Sequence, residues 1–268
     1  MLSDEIINAR RGNITASEAH NIMAGWDVPA PKVNYPEPIY NWIAQNGVKP
    51  LVGAIKDEME CDVSSKAIEA AWKVWQHKKT PQGLITYAER LACDELFETD
   101  PSLFDGANNV HMENGRERED EAVAMLIEST GLPFTKIGED QIHISVDGVG
   151  VTPDGIVYDE LDLITTGCEV KCRSPLHHAR QLLIEDNESL AEHDFARYCQ
   201  IQVACHVTGA DHWYSVSFNP FAKRDEYKFH YCVIHREDWF LDIFKERAAL
   251  VFKHKALFLE SLNERVAA

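Results

Sequence analysis

The spacing of apolar residues changes near residue 131, and this change limits the folds that the chain can adopt. Before it, apolar residues recur at helical spacing, and the last such segment, Glu113–Thr130, is followed by the helix-stopping residues Gly131 and Pro133. After it come short apolar runs between turn residues, including Gln141–Val146, where every second residue is apolar. The order of elements predicts an α/β (α+β) fold with one central mixed β-sheet flanked by helices.

Turn residues and apolar spacing place the other elements. A short helix is predicted up to Arg10, with a turn at Gly12, and Thr15 three residues before Glu18 is a capping-box pattern that predicts a second helix. Further strands are predicted at Val149–Val151, Ile156–Tyr158, Gly167–Cys172, Trp213–Phe218 and Lys228–Ile234, and further helices at Pro175–Ile184, Phe195–Val207 and Arg236–Leu262. No linker composition interrupts the chain, so we predict one domain over residues 1–268.

The charge balance argues against a polyanionic partner. Acidic residues outnumber basic ones by 44 to 26, which gives a formal net charge of -18. Residues 1–170 hold 30 acids and 13 bases, whereas residues 171–268 hold 14 and 13. The excess therefore lies in the N-terminal part, and we expect most of these acids to face outward.

Other features of the composition predict a cytoplasmic protein with no membrane partner. No stretch approaches the roughly 20 apolar residues that span a bilayer, and the first residues lack the apolar run of a signal peptide. The seven cysteines are scattered and form no CxxC pair, which is typical of reduced thiols and offers no zinc or iron–sulfur site.

One pair of strands carries the residues best suited to chemistry. Asp154 lies in a Pro-Asp-Gly turn, and Glu169 and Lys171 stand two apart on the following strand, so their side chains share a face while Val170 points into the core. If the strands pair as a hairpin, both carboxylates and the lysine meet at one end of the sheet. Such a set suits a divalent metal and a metal-bound water, although acid–lysine pairs also occur on ordinary surfaces.

Three neighbouring features admit both a functional and a structural interpretation. Glu119 lies in a charged run of the helix over 113–130, where pairing with other charges on a solvated face is the plain alternative. Gln200 lies on an apolar helix, where it needs a hydrogen-bond partner at the edge of the core. His177 and His178 point about 100° apart on a helix, so we expect both to be exposed rather than to bind a metal.

Taken together, the motifs resemble those of the phage lambda exonuclease family, also called YqaJ-type viral recombinases, within the PD-(D/E)xK nuclease superfamily. The matching blocks are Arg10-x-Gly12-x-Ile14-Thr15-Ala16-Ser17-Glu18, Gly115-x-x-x-Glu119-x-x-Ala122, Pro153-Asp154-Gly155, Glu169-Val170-Lys171, Gln200-Ile201-Gln202, Val207-Thr208, Trp213-Tyr214, Asn219-Pro220 and Tyr231-x-Val233-Ile234. They occur in the family's order over residues 6–24 and 113–247. The resemblance implies a restriction-endonuclease-like nuclease core over 113–247 with a helical N-terminal elaboration. Residues 25–112 match the family poorly and form a helical and loop insert in this interpretation.

The resemblance also assigns catalytic roles. Asp154 and Glu169 match the metal ligands, joined by the backbone carbonyl of Val170, and Lys171 matches the lysine that activates the attacking water. Glu119 matches a helical glutamate that completes the active site and contacts the metal less directly. The implied cofactor is Mg²⁺, with two ions in each site and Mn²⁺ as a substitute.

Gln200 completes the implied catalytic set, because it matches a glutamine that helps position the water or the lysine. A second group of residues is implied to bind the substrate. Arg10, Ser17 and Thr152 match a pocket for the 5′-phosphate of a DNA end, a role that suits an arginine and hydroxyl groups. Thr152 stands where the family has a serine, and it keeps the hydroxyl.

The implied activity is 5′→3′ exonucleolytic hydrolysis of one strand of linear double-stranded DNA. The products would be mononucleotides and a 3′ single-stranded overhang for phage-type recombination by strand annealing. The implied assembly is a homotrimer ring that encloses DNA, with a single-strand annealing protein as partner, in the bacterial host of a phage or prophage. Two alternatives stay open: a restriction-type or repair-type endonuclease of the same superfamily, and a non-enzymatic acidic DNA mimic.

Overall fold

The computed structural model describes residues 4–25, 33–56, 59, 61, 63–78, 80–97 and 106–267. Their contacts divide the chain into two compact units, one formed by Met1–Ala24 with Gly83–Ala268 and the other by Gly25–Gln82. The segment 25–112, which matches the family poorly, is therefore divided between the two units, because its residues from Gly83 onward belong to the first unit. The single-domain arrangement stays a prediction.

Helices and strands alternate along the chain much as the apolar spacing predicts. In chain order the helices are α1 (Asp4–Arg10), α2 (Ala19–Met23), α3 (Glu37–Asn46), α4 (Val52–Ile55), α5 (Ser65–Lys78), α6 (Gln82–Leu96), α7 (Gly106–Thr130), α8 (Pro175–Gln181), α9 (Asn187–His193), α10 (Phe195–Thr208) and α11 (Asp238–Ala267). The strands are β1 (Ile14–Thr15), β2 (Ile144–Val146), β3 (Val149–Val151), β4 (Gly155–Tyr158), β5 (Ile164–Lys171), β6 (His212–Phe218) and β7 (Phe229–His235).

The strands form two mixed sheets, so the α/β prediction is confirmed while the expectation of one sheet is wrong. The first sheet has the order β1-β3-β2, with β1 parallel to β3, and the second has the order β4-β5-β6-β7, with β5 parallel to β6. The break falls between β3 and β4, where Pro153 has no N–H to donate to a strand ladder.

The core of the first unit lies between β5, β6 and α7. Val170 is 1% exposed and belongs to a cluster with Ala122, Val123 and Leu126 of α7, as its place in the alternating pattern predicts. The predicted end of α7 is confirmed, because Gly131 adopts a left-handed conformation and its N–H donates to the Ile127 carbonyl. This packing fixes the strand that carries the candidate catalytic residues.

The start of the chain agrees with the prediction in part. Thr15 ends β1 and stands at the N-cap position of a 3₁₀ helix, Ala16–Glu18, that runs directly into α2, so the predicted helix start is confirmed. The predicted capping box is wrong, because the Thr15 side chain makes no cap hydrogen bond and its hydroxyl lies 3.3 Å from the Ser17 hydroxyl. Glu18 forms an ion pair with Arg90 instead. Ile14 and Thr15 are extended before this helix because Ile14 pairs with Val149 of β3.

One of the two adjacent histidines also differs from the prediction. His177 is exposed, but His178 is only 3% exposed, with one ring nitrogen 2.8 Å from the Ser217 hydroxyl and the other 2.6 Å from the Tyr227 carbonyl. Burial lowers the pKa of His178. The residue is therefore a hydrogen-bonded core histidine.

The second unit has a small core of its own. Ile39 and Ile43 of α3 pack with Ile55 of α4 and Ile68 of α5. Within the described ranges, no helix is both long and apolar enough to cross a bilayer.

Candidate active site

The predicted hairpin brings Asp154 against β5. β4 and β5 pair in an antiparallel register, and the Asp154 N–H donates to the Cys168 carbonyl at 3.2 Å. One oxygen of the Asp154 carboxylate accepts the Val170 N–H at 2.7 Å, and the other accepts the Gln141 side-chain amide at 3.1 Å. The carboxylate is thus held at the level of the Glu169–Lys171 stretch.

Burial and acidic neighbours outweigh the positive charge of Lys171 in the environment of Asp154. Burial raises the pKa of this carboxyl well above its usual range, and the charges of Glu169 and Glu119 raise it further. Three acidic side chains from a turn, a strand and a helix therefore act on one another. The arrangement favours a bound cation, since a cation would offset their mutual repulsion.

Glu169 and Lys171 share a face of β5, as their spacing predicts. The Lys171 ammonium donates to a Glu169 carboxylate oxygen at 2.5 Å, and Glu169 is 4% exposed. Burial lowers the pKa of Lys171, but the charges of Glu169 and Asp154 outweigh burial and leave it raised. Lys171 is therefore a cation at neutral pH, held beside both carboxylates.

Sequence reasoning missed Arg197, a buried cation beneath β5. Arg197 is only 1% exposed. Its guanidinium donates to the Glu169 carbonyl at 2.7 Å, to the Val216 carbonyl, and to the Gln181 amide oxygen at 2.9 Å. It ties β5 to β6 at the residue that precedes Val170. The available signal was a charged residue on an otherwise apolar helix, because such residues are almost never fully buried unless they are paired.

A small pocket assembles the residues predicted to bind a terminal phosphate. Arg10, Ser17, Thr152 and Gln200 line a cavity of about 90 Å³ together with His143. The parallel pairing of β1 with β3 brings the N-terminal segment to this place, since Thr15 stands opposite Gly150. Gln200 thus lies with the predicted phosphate-binding residues.

The turn after α1 is held from two distant parts of the chain. Gly12 adopts φ +66°, and a side chain there would meet Glu95 of α6 at less than 3.0 Å. Lys255 of α11 donates to the Gly12 carbonyl at 2.6 Å and pairs with Glu95 at 2.5 Å. These contacts fix the position of Arg10, whose guanidinium is half-buried beside the pocket.

The donor set fits a magnesium ion better than a metal held only by protein side chains. In the part of the chain that the structure describes, no three His, Cys, Asp or Glu side chains are grouped as a complete metal site. Asp154 and Glu169, together with the backbone carbonyl of Val170 that follows Glu169 in the sequence, would supply oxygen ligands. Mg²⁺ commonly uses one or two carboxylates and fills its other positions with water and phosphate oxygens.

The fold of this chain is similar to that of solved exonucleases. The crystal structure of an alkaline exonuclease (LHK-Exo) from Laribacter hongkongensis matches with a TM-score of 0.61 at 19% identity, covering 99% of this chain and 98% of that chain. The structure of LHK-Exo in complex with dAMP matches with a TM-score of 0.60 at 20% identity over the same shares.

A third solved structure agrees. A phage related exonuclease from Haemophilus somnus 129PT has a TM-score of 0.56 at 15% identity, covering 94% of this chain and 96% of that chain. No protein-family model matches the sequence, and a comparison with curated proteins gives no match either. The resemblance to the lambda exonuclease family is thus confirmed at the level of the fold.

Proposed function

We propose that this chain is a Mg²⁺-dependent exonuclease that degrades one strand of linear double-stranded DNA in the 5′→3′ direction. The observation that carries the proposal is the pocket of Arg10, Ser17 and Thr152 two residues from Asp154. A nuclease that cuts internal bonds has no need of a closed pocket for a strand end. The solved exonucleases of the same fold support the same class of activity.

The chemistry of the pocket suits a phosphate monoester. A guanidinium and two hydroxyls offer several donors to one dianionic group. The cavity is small, with a volume of about 90 Å³, and its lining offers donors to an anion, so we expect it to bind the phosphate at the end of a strand rather than a base.

The sequence spacing of Thr152 and Asp154 suits removal of one nucleotide at a time. Two residues of chain span at most about 7 Å, so the backbones of Thr152 and Asp154 lie no farther apart than about one step along a nucleic-acid strand. With the terminal phosphate held at Thr152, the next phosphodiester would lie at Asp154 and Glu169. The products would be mononucleotides and a 3′ single-stranded overhang.

Different residues of the site would have different roles in hydrolysis. Bound Mg²⁺, in two ions or with Mn²⁺ as a substitute, would neutralise charge on the attacking and leaving oxygens. Lys171 is held as an ammonium by Glu169 and Asp154, so it would orient the attacking water and stabilise the developing charge rather than accept a proton. Glu119 would add negative charge at the cation site, and Gln200 would hold the substrate between pocket and carboxylates.

The decisive experiment compares three DNA substrates in Mg²⁺: linear duplex with 5′-phosphate ends, the same duplex with 5′-hydroxyl ends, and a closed circular plasmid. We expect the phosphorylated duplex to be degraded at least about tenfold faster, since hydrogen bonds to a charged group contribute about 1.5–3 kcal/mol, and the circle to stay intact. Equal rates on both ends would contradict the pocket, and cleavage of the circle would favour a restriction-type endonuclease.

Variants separate catalysis from DNA mimicry. Asp154→Asn and Lys171→Ala should each lower the rate by about 100-fold or more, because several kcal/mol of charge stabilisation are lost. Asp162→Asn makes the same change at an exposed carboxylate of the β4–β5 connection and should keep full activity. Two results together would favour the DNA mimic: the wild type hydrolyses no DNA, and the chain binds DNA-binding proteins equally well with and without Lys171→Ala.

We also propose a homotrimer ring around DNA, with a single-strand annealing protein as partner in phage-type recombination in the bacterial cytoplasm. The support is the resemblance in sequence motifs, together with the shared fold. Sedimentation equilibrium should give three times the chain mass of 30.4 kDa, and a monomer at micromolar concentration would contradict the ring.

A further inference from the structure

His143 lines the terminal-phosphate pocket and belongs to none of the motifs that point to the active site. It lies one residue before β2, and its Nδ1 is 3.1 Å from the Thr152 hydroxyl oxygen. The ring lies over the backbone of Gly150, where a Cβ atom would come closer than 3.0 Å to Nε2. The imidazole can therefore occupy this place only because residue 150 has no side chain.

The surroundings of the ring decide which nitrogen carries the proton. Nε2 is buried and has no hydrogen-bond partner among the residues that the structure describes. A proton on Nε2 would leave a buried N–H without an acceptor, which is rarer in proteins than an acceptor without a donor. A proton on Nδ1 leaves only a lone pair unsatisfied, and the Nδ1–H then donates to Thr152.

The charge state of the ring agrees with this assignment. Burial lowers the pKa of His143, and the positive charge of Arg10 lowers it further. The imidazole is therefore neutral at neutral pH, with one N–H to place. Arg10 supplies the positive charge of the pocket, whereas His143 sets the direction of the hydrogen bond with Thr152.

The direction matters because a hydroxyl has a single hydrogen to donate. If Nδ1 accepted that hydrogen, Thr152 would present only lone pairs to an anion. If Nδ1–H donates instead, the Thr152 hydroxyl hydrogen is free to turn into the pocket, toward Arg10 and Ser17. The choice of proton position on His143 thus determines whether Thr152 attracts or repels a phosphate oxygen.

We propose that His143 is a positioning residue for substrate binding: its Nδ1–H donates to the Thr152 oxygen, so that the Thr152 hydroxyl donates its hydrogen to the terminal 5′-phosphate. The inference rests on the proposed function and deepens it, because it assigns the preference for phosphorylated ends to a pair of residues. His143 itself does not touch the reacting atoms.

The test measures kcat and KM on 5′-phosphate and 5′-hydroxyl duplexes for His143→Leu and His143→Asn. Leucine removes the donor, whereas an asparagine amide places an N–H near the position of Nδ1. We expect His143→Leu to lose about tenfold of the preference for phosphorylated ends, mainly through a higher KM for the phosphorylated duplex. His143→Asn should recover most of the preference.

A double-mutant cycle with Thr152→Val tests whether His143 acts through Thr152. In the Thr152→Val background, His143→Leu should cause no further loss of preference. His177→Leu removes an exposed histidine outside the pocket and should match the wild type. Any of four results would overturn the inference. His143→Leu could keep the full preference for phosphorylated ends, or lose rate equally on both kinds of end. His143→Asn could fail to recover the preference, or the losses of preference could add in the double variant.

The wild-type reaction distinguishes the two levels of failure. If the wild type degrades no linear duplex, or treats both ends alike, the proposed function fails. If the wild type prefers phosphorylated ends and the His143 variants keep that preference, only the role of His143 is refuted.

Discussion

Replacing Asp154 by asparagine should stabilise the chain without metal and destabilise it relative to the wild type in Mg²⁺. Burial and the charges of Glu169 and Glu119 disfavour the ionised Asp154 carboxylate, so a neutral amide removes an unfavourable interaction. The amide can still accept the Val170 N–H, and the Gln141 amide can rotate to complement the new NH₂ group. The substitution therefore changes charge while the local hydrogen bonds stay.

The expected magnitudes have opposite signs in the two conditions. Without metal, relieving a strained active-site group contributes about 0.5–2 kcal/mol, which raises Tm by about 1–8 °C for a chain of this size. In Mg²⁺ at 100 times Kd, the wild type gains about 2.7 kcal/mol, or about 5–11 °C. Asp154→Asn loses a ligand and should gain little, so the order of the two melting temperatures should reverse.

The assay is thermal unfolding of the wild type, Asp154→Asn and Asp162→Asn in EDTA and across a Mg²⁺ titration. Asp162 is exposed and adopts a left-handed conformation that asparagine also tolerates. This control should follow the wild type in both conditions. A lower Tm for Asp154→Asn in EDTA, or equal Mg²⁺ shifts in the wild type and Asp154→Asn, would refute the reasoning.

Three further predictions concern residues around the site and the core. Gly150→Ala should displace the His143 ring, since its Cβ would lie under 3.0 Å from Nε2, and should lower the preference for 5′-phosphate ends about tenfold in the same cleavage assay; an unchanged preference would contradict the role of that ring. Gly167→Ala should destabilise the fold by about 1–3 kcal/mol, measured by urea unfolding, because its Cβ would clash with the fully buried Trp213 ring; unchanged stability would show that the ring can shift freely. Burial lowers the pKa of His178 below its value in the unfolded chain, so its neutral ring contributes stability above about pH 6.5 and this contribution is lost as the pH falls below that value. The free energy of unfolding of a His178→Leu variant should therefore fall less steeply than that of the wild type between pH 7 and 5. An equally steep fall in both proteins would contradict this.

The strand pair that carries the candidate catalytic residues could be predicted from the sequence because its information is local. Alternation by two places Glu169 and Lys171 on one face and Val170 in the core, and the Pro-Asp-Gly turn marks the start of the next strand. Each of these relations spans only a few residues. The structure therefore agrees with the pattern in detail, down to the contact between the Lys171 ammonium and the Glu169 carboxylate.

The pocket could be predicted only through the family resemblance, because non-local contacts build it. β1 has two residues and pairs with a strand more than 130 residues later. Its local sequence indicates the helix that begins after Thr15, but it does not indicate the pairing with β3. His143 and Arg197 were not predicted for a related reason. The contact of His143 is with Thr152 and the contacts of Arg197 include the Glu169 and Val216 carbonyls, and the spacing of residues along the chain indicates neither.

The contacts of Lys255 separate two kinds of folding within one site. Lys255 of α11 donates to the Gly12 carbonyl and to Glu95 of α6, so the turn that carries Arg10 is held by a residue more than 240 positions later in the chain. The β4–β5 hairpin that carries Asp154, Glu169 and Lys171 pairs residues fewer than 20 positions apart. The hairpin can therefore form by local folding, whereas the pocket around Arg10 requires distant parts of the chain to come together.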